Sequence, residues 1–136
     1  MRPEDRYDGL IRHYAELYQR DARQVKHQIR QESSFDPKAL SKTGAVGLGQ
    51  FEPATWHEVM PEGDPTCPED SIHAMCKYMA RLQKALGSLA LALAAYNWGI
   101  GHVQKVKGED NWRALLPAET AKYVRDGLNF QCEHVA

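Results

Sequence analysis

Apolar positions along this chain recur mostly three and four residues apart, the spacing of one face of an α-helix. Leu10, Tyr14, Leu17 and Tyr18 mark the first such face, behind Pro3-Glu4-Asp5, where acidic groups suit the positive end of a helix dipole. A first helix running to about Gln19 is expected. Ala22, Val25 and Ile29 repeat behind Asp21, a capping residue, so a second helix is predicted over about 22–32, with Arg23, Lys26 and Arg30 on its exposed side. A short helix is predicted from Pro53 to about Val59, followed by a breaker-rich surface connection over 61–68. Glu69-Asp70 open the longest helix, to about Leu86, in which Ile72, Met75, Cys76, Met79, Leu82 and Leu86 keep helical spacing until Gly87 stops it.

Leu89-Ala-Leu-Ala-Leu-Ala-Ala-Tyr96 is apolar on nearly every side. Leu/Ala alternation is compatible with a buried strand, but both residues are strong helix formers and lack β-branching, so a helix capped by Ser88 is predicted. A helix of that kind belongs in the middle of a bundle. Tyr96-Asn97-Trp98-Gly99 closes it, and a short helix from Gly101, a turn at 108–111 and a satellite contact of Trp112, Leu115 and Leu116 follow. Pro117 begins a last helix carrying Glu119, Tyr123 and Leu128; from Phe130 to Ala136 no pattern is readable. The expected fold class is all-α: one compact domain over 1–136, a helical bundle with a central buried helix.

One position breaks the pattern. Glu32 falls where the apolar face of Ala22, Val25 and Ile29 calls for a hydrocarbon. Partial burial and the negative end of the helix dipole both favour the protonated carboxyl. Moving a glutamate from about 4.3 to about 6 or 7 corresponds to roughly 2 to 4 kcal/mol, attainable by burial alone, and gives a general acid. The bland alternative is a surface Glu at a frayed helix end, paired with Arg30 or Lys26. The surroundings argue against it: Asp36-Pro37 bars helix continuation, and Gly44, Gly47 and Gly49 crowd the loop that follows. Gln50 then offers both kinds of hydrogen-bonding group. The stretch reads as a carboxyl group at a helix end facing a glycine-lined polar loop.

Composition narrows the classes. With 43% apolar and 26% charged residues the chain is neither disordered nor fibrous, and a net charge of -1 gives no support to nucleic-acid binding. Cys67, Cys76 and Cys132 lack Cys-x-x-Cys spacing, and the six histidines lack His-Glu-x-x-His spacing, so neither a zinc site nor another metal or cofactor is expected. Cys76 reads as a buried thiol; one bridge with a leftover thiol is the alternative. The most apolar run falls far short of the roughly 20 residues a membrane span needs, so no membrane insertion is expected. No apolar stretch follows Met1-Arg-Pro-Glu-Asp-Arg6, so no secretory signal is expected, and a monomer is expected.

Glu32-Ser33-Ser34-Phe35-Asp36-Pro37, then Ser41, Gly44-Ala45, Gly47-Leu48-Gly49-Gln50 and Pro53-Ala-Thr55-Trp56, resemble the first motifs of the soluble lytic transglycosylase family, lysozyme-like enzymes that cut peptidoglycan. Ala95-Tyr96-Asn97-Trp98-Gly99 and Pro117-Ala-Glu119-Thr120-Ala-Lys-Tyr123-Val124 resemble its later motifs, in the right order. The resemblance implies a substrate groove and cleavage between N-acetylmuramic acid and N-acetylglucosamine, with 1,6-anhydro ends as product. Glu32 would be acid and then base. Ser41 and Gln50 would bond the N-acetyl and neighbouring groups, Tyr96 would line the cleft, and Glu119 and Tyr123 would support or line it. Asn97 would orient substrate or cap its helix, and Phe35 would be a staple beneath the loop or a sugar platform. The family commonly has methionine where this chain has Gly49, and alanine where it has Trp98. The first change would loosen one wall; the second would narrow the cleft or add a stacking surface. A wall enzyme with no export signal implies another route, as a phage lysis or virion protein or as cargo of a specialised secretion machine.

Two other readings carry different consequences. A hydrolytic lysozyme on the same fold would need a second carboxylate, with Asp36, Glu52 and Glu119 as candidates. A silent wall-binding or virion-structural module would keep the groove without using its acid.

Overall fold

A computed structural model describes residues 1–136, and its elements follow the apolar spacing closely. The helices are α1 (Asp8–Leu17), α2 (Ala22–Ser33), α3 (Pro53–Val59), α4 (Pro68–Leu86), α5 (Leu89–Trp98), α6 (Ile100–Val106) and α7 (Ala118–Gly127), with 3-10 turns at Pro3–Asp5 and Trp112–Leu115. Isolated antiparallel bridges, Leu40 with Val46 and Val46 with Phe51, are the sole extended pairings. The protein is all-α.

The segment that is apolar all round becomes the axis. Ser88 Oγ accepts the Leu91 N–H at 3.1 Å and starts α5, whose residues Ala92 to Ala95 are buried. α5 packs on α4, α6 and α7, while α2 lies against α1 and α7. A cluster of 26 buried apolar residues draws on all seven helices, so the ends of α2, α5 and α7 are held in one rigid frame. Gly87, at a φ of +96°, ends α4 where the pattern stops.

Four expectations change. The first helix is split: a 3-10 turn gives way at Arg6 and Tyr7 to α1, because Asp5 and Asp8 turn inward to the same cation. That cation is Lys26, placed by its spacing on the exposed side of α2 and in fact buried. Its ammonium lies 2.7 Å from Asp5 Oδ1, 2.9 Å from Asp8 Oδ1 and 2.6 Å from the His134 carbonyl, which compensates its desolvation. The tail from Phe130 is not patternless in space. Glu133 accepts two bonds of 2.8 Å from Arg30 and one of 2.9 Å from His27, fastening the chain end to α2 by charge rather than by apolar spacing. Leu116 joins the main core and Leu115 is exposed, so no separate satellite forms.

The three cysteines are free thiols, and burial pushes Cys76 up to about 12. No helix is long and apolar enough to cross a membrane.

Candidate active site

α2 runs through Glu32 to Ser33, and the chain then leaves the helix through left-handed backbone at Ser34 (φ +51°) and Phe35 (φ +66°), ahead of Asp36-Pro37. Ser33 Oγ donates to the Leu48 carbonyl at 2.9 Å, tying the helix end to the glycine loop. The loop is shaped by contacts that exclude side chains. Gly47 has a φ of +84°, and a β-carbon there would lie 1.9 Å from the Pro65 carbonyl oxygen. The Gly49 N–H bonds Ser71 Oγ at 3.1 Å, and its carbonyl accepts the Tyr96 hydroxyl at 2.7 Å. The wall opposite Glu32 is therefore pinned to α4 and α5.

Glu32, Ser41, Gln50, Tyr96, Asn97 and Glu119 line one groove of about 380 Å³, together with Glu52, Thr55, Tyr78 and Trp98. On its other side Glu32 meets a second hollow, lined also by Asn97, Glu119, Lys122 and Tyr123. Glu32, Asn97 and Glu119 thus stand where two polar hollows adjoin.

Burial is the main influence on the Glu32 carboxyl, which is pushed up to about 7. The negative charge of Glu119 acts in the same sense, and the Tyr123 hydroxyl, donating to Oε2 at 2.6 Å, opposes both by favouring the anion. At neutral pH the group is divided between acid and base. Neither Arg30 nor Lys26 pairs with it: Arg30 is bound to Glu4 and Glu133, and Lys26 to Asp5 and Asp8.

The remaining site residues differ in what they can offer. The Gln50 amide nitrogen is spent on the Ala39 and Gly47 carbonyls at 3.0 and 3.1 Å, so it presents its oxygen to the groove. Ser41 Oγ accepts the Ala45 N–H at 2.9 Å and shapes the loop while lining the groove. Asn97 does not cap its helix; its Oδ1 accepts the Thr120 hydroxyl at 2.8 Å, which leaves its amide hydrogens free. Phe35 is buried under the Arg30 guanidinium, 5.1 Å from its ring centroid, and stands outside the groove as a staple. Asp36 caps its own turn through the Lys38 N–H at 2.9 Å and does not line the groove, unlike Glu52 and Glu119.

Trp98 lines the groove with one face stacked on His102, at 4.7 Å and 12°. A β-carbon at Gly49 would meet the Tyr96 hydroxyl and the Phe51 ring, each at 3.0 Å, so that wall is closed by aromatic groups. Sequence reasoning passed over Ser71 and Tyr78, and gave Thr120 no role of its own within its motif. Nothing in their local pattern marks them, since each matters through a partner distant in the chain.

The chain is 37% identical over 106 residues to membrane-bound lytic murein transglycosylase F of Desulfosudis oleivorans, covering 73% of this chain and 23% of that protein. It is 36% identical over 107 residues to membrane-bound lytic murein transglycosylase D of Escherichia coli K12, covering 68% and 24%. Among solved structures, an inactive glutamate-to-glutamine mutant of lytic transglycosylase Slt from Pseudomonas aeruginosa superposes with a TM-score of 0.82 at 25% identity, covering 92% of this chain and 23% of that one. The chain spans about a quarter of the length of these relatives. Residues 9–116 match the transglycosylase SLT domain model, and with that match over most of its length, the helical frame, the glycine loop and the half-buried Glu32, the chain belongs to the transglycosylase SLT domain family.

Proposed function

We propose that this chain is the catalytic unit of a peptidoglycan lytic transglycosylase, cutting the β-1,4 bond between N-acetylmuramic acid and N-acetylglucosamine on the wall side of the membrane. The observation that carries the reading is the half-buried Glu32, bonded by the Tyr123 hydroxyl at 2.6 Å where two polar hollows adjoin, with burial pushing its carboxyl up to about 7. Its proton passes to the glycosidic oxygen as the bond to the leaving sugar breaks, and an oxocarbenium-like charge develops on the muramoyl ring. The Tyr123 hydroxyl, 2.6 Å from Oε2, stabilises the carboxylate so formed. That carboxylate then removes the proton of the muramoyl 6-hydroxyl, whose oxygen closes onto the anomeric carbon as a 1,6-anhydro ring. Glu32 ends protonated again, and no water is consumed.

The free amide hydrogens of Asn97 and the amide oxygen of Gln50 suit the N-acetyl and hydroxyl groups of the sugars, with Ser41 beside them. Trp98, braced by His102, offers its other face to a sugar ring. The charge of Glu119 adds to burial, the main influence, in favouring the protonated acid. Glu52 and Glu119 keep a hydrolytic lysozyme as the second reading, because both line the groove and either could direct water. Asp36 no longer serves that reading.

Purified protein incubated with bare sacculi, followed by mass spectrometry of the muropeptides, decides between them. Anhydro-muramoyl ends are expected; reducing ends that take up borohydride would transfer the assignment to a hydrolase. Glu32→Gln is expected to slow release by about 10² to 10⁴. Equal behaviour of the two proteins would leave a module that only binds.

A further inference from the structure

Four aromatic rings line the groove beside Glu32, and they are not placed alike. Phe51, Tyr78 and Tyr96 pack on one another with centroids 5.7 to 6.0 Å apart, tilted or edge to face, so their faces are taken up within the protein. Trp98 stands apart from that cluster. Its aromatic partner is His102, parallel within 12° at 4.7 Å, and His102 does not line the groove. The stack is built by a corner of the chain: α5 ends at Trp98, Gly99 turns at a φ of +101°, and the first turn of α6 brings His102 back over the indole. One face of Trp98 is thus backed from outside, and the side turned to the groove meets no protein ring. Held in one orientation before any ligand arrives, the indole loses little freedom on binding.

A flat, uncharged indole face suits a pyranose whose substituents are all equatorial, because such a ring presents axial C–H groups to the aromatic plane. The charges nearby narrow the choice of sugar. Glu32, Glu52 and Glu119 line this hollow, and no lysine or arginine does. A muramoyl sugar carries a lactyl acid, free and anionic or extended by a peptide, where N-acetylglucosamine carries a plain hydroxyl. The carboxylates repel the free acid, the peptide form brings bulk and further carboxylates, and the N-acetylglucosamine ring meets neither obstacle. We propose that Trp98, held by His102, is a specificity-determining platform that takes an N-acetylglucosamine ring of the strand. Trp98 touches the sugar, and His102 is a positioning residue that acts through it. The inference rests on the groove being a glycan site, and adds which sugar meets this wall.

The test is ¹H–¹⁵N NMR of the tryptophan indoles in the full chain carrying Glu32→Gln, which keeps the ligand whole, titrated with the β-1,4 tetramer of N-acetylglucosamine. The chain has three tryptophans, and the Trp98 signal is identified by its loss in Trp98→Phe. That signal is expected to move on titration, while the signal of Trp112, outside the groove, stays in place. Trp98→Ala is expected to weaken tetramer binding about tenfold, and Trp98→Phe, which keeps a smaller face, about threefold. His102→Ala should cost about threefold by freeing the indole, and His102→Phe, which restores a flat ring behind it, should recover most of that loss. On glycan strands, Trp98→Ala in the otherwise native chain should raise KM with kcat held, because stacking serves ground state and transition state alike. Should Trp98→Ala fail to fold, Trp98→Phe and the two changes at the exposed His102 carry the same comparison. A Trp98 signal that does not respond, a tetramer that binds Trp98→Ala as it binds the parent, or His102→Phe as weak as His102→Ala overturns the platform. So does a fall in kcat at unchanged KM. Because the titration involves no cleavage, sacculi left intact by the native chain would overturn the proposed function while the tetramer still answered for Trp98.

Discussion

At the scale of single residues, Glu32 is held between two opposed influences. Burial and Glu119 favour the proton, Tyr123 favours its loss, and the balance lies at about 7. Removing the opposing donor in Tyr123→Phe is expected to raise that balance by about one pH unit, the worth of one hydrogen bond to a charged group. The alkaline fall of kcat/KM should move up with it; a fall that stays in place would show that Tyr123 does not act on Glu32. The same burial costs stability. An unfolded glutamate ionises near 4.5, so between 4.5 and 7 the folded chain holds more protons than the unfolded one, and stability declines as pH rises through that window. Glu32→Gln carries no charge to bury. Its stability relative to wild type, measured by urea unfolding, is expected to gain about 3 kcal/mol between pH 4 and pH 8, an order-of-magnitude conversion of the shift. A constant difference across that range would mean that the carboxyl is not desolvated. Glu32 was legible because it broke an apolar repeat. Gln24 and Gln28, buried on the same helix, broke none visible in the chain, since a polar residue gives no sign of being buried until its neighbours are known.

Among the elements, the glycine loop decides the shape of the cleft, and its glycines do not contribute equally. Gly44 has a φ of +92° with open space around it, whereas Gly47 combines a φ of +84° with the Pro65 carbonyl where a β-carbon would go. Gly44→Ala is therefore expected to cost about 1 kcal/mol from backbone conformation alone. Gly47→Ala should cost at least about 2 kcal/mol and displace Gln50, because the 61–68 connection must also retreat. Denaturant unfolding of the pair checks the order, and equal costs would contradict the packing described. Helices α2, α4, α5 and α7 were readable from spacing, caps and stops, since each of those is a local property. The fate of Lys26 was not: its position on α2 points outward only until the 3-10 turn at Pro3–Asp5 folds over it with Asp5 and Asp8. The tail was hidden for the same reason, as a lone Glu133 has no signature without Arg30 and His27 beside it.

For the whole molecule, the apolar axis of α5 lets three segments far apart in the chain converge on one carboxyl: the end of α2, the glycine loop and α7. The charged clasp of Arg30, His27 and Glu133 holds the opposite side of α2, so the helix that carries the acid is fixed at both faces. Under the proposed function, a frame of this kind would serve cleavage by a single titrating acid whose proton is present at and below neutrality. The most direct check is the pH dependence of kcat/KM on soluble glycan strands. The account predicts a level rate in mild acid that falls about tenfold per pH unit above about 7, with that fall absent from the residual rate, lower by about 10² to 10⁴, of Glu32→Gln. A rate that climbs between pH 5 and 7 and holds beyond 8 would contradict it, because the group at the floor of the groove would then be working as a base from the start.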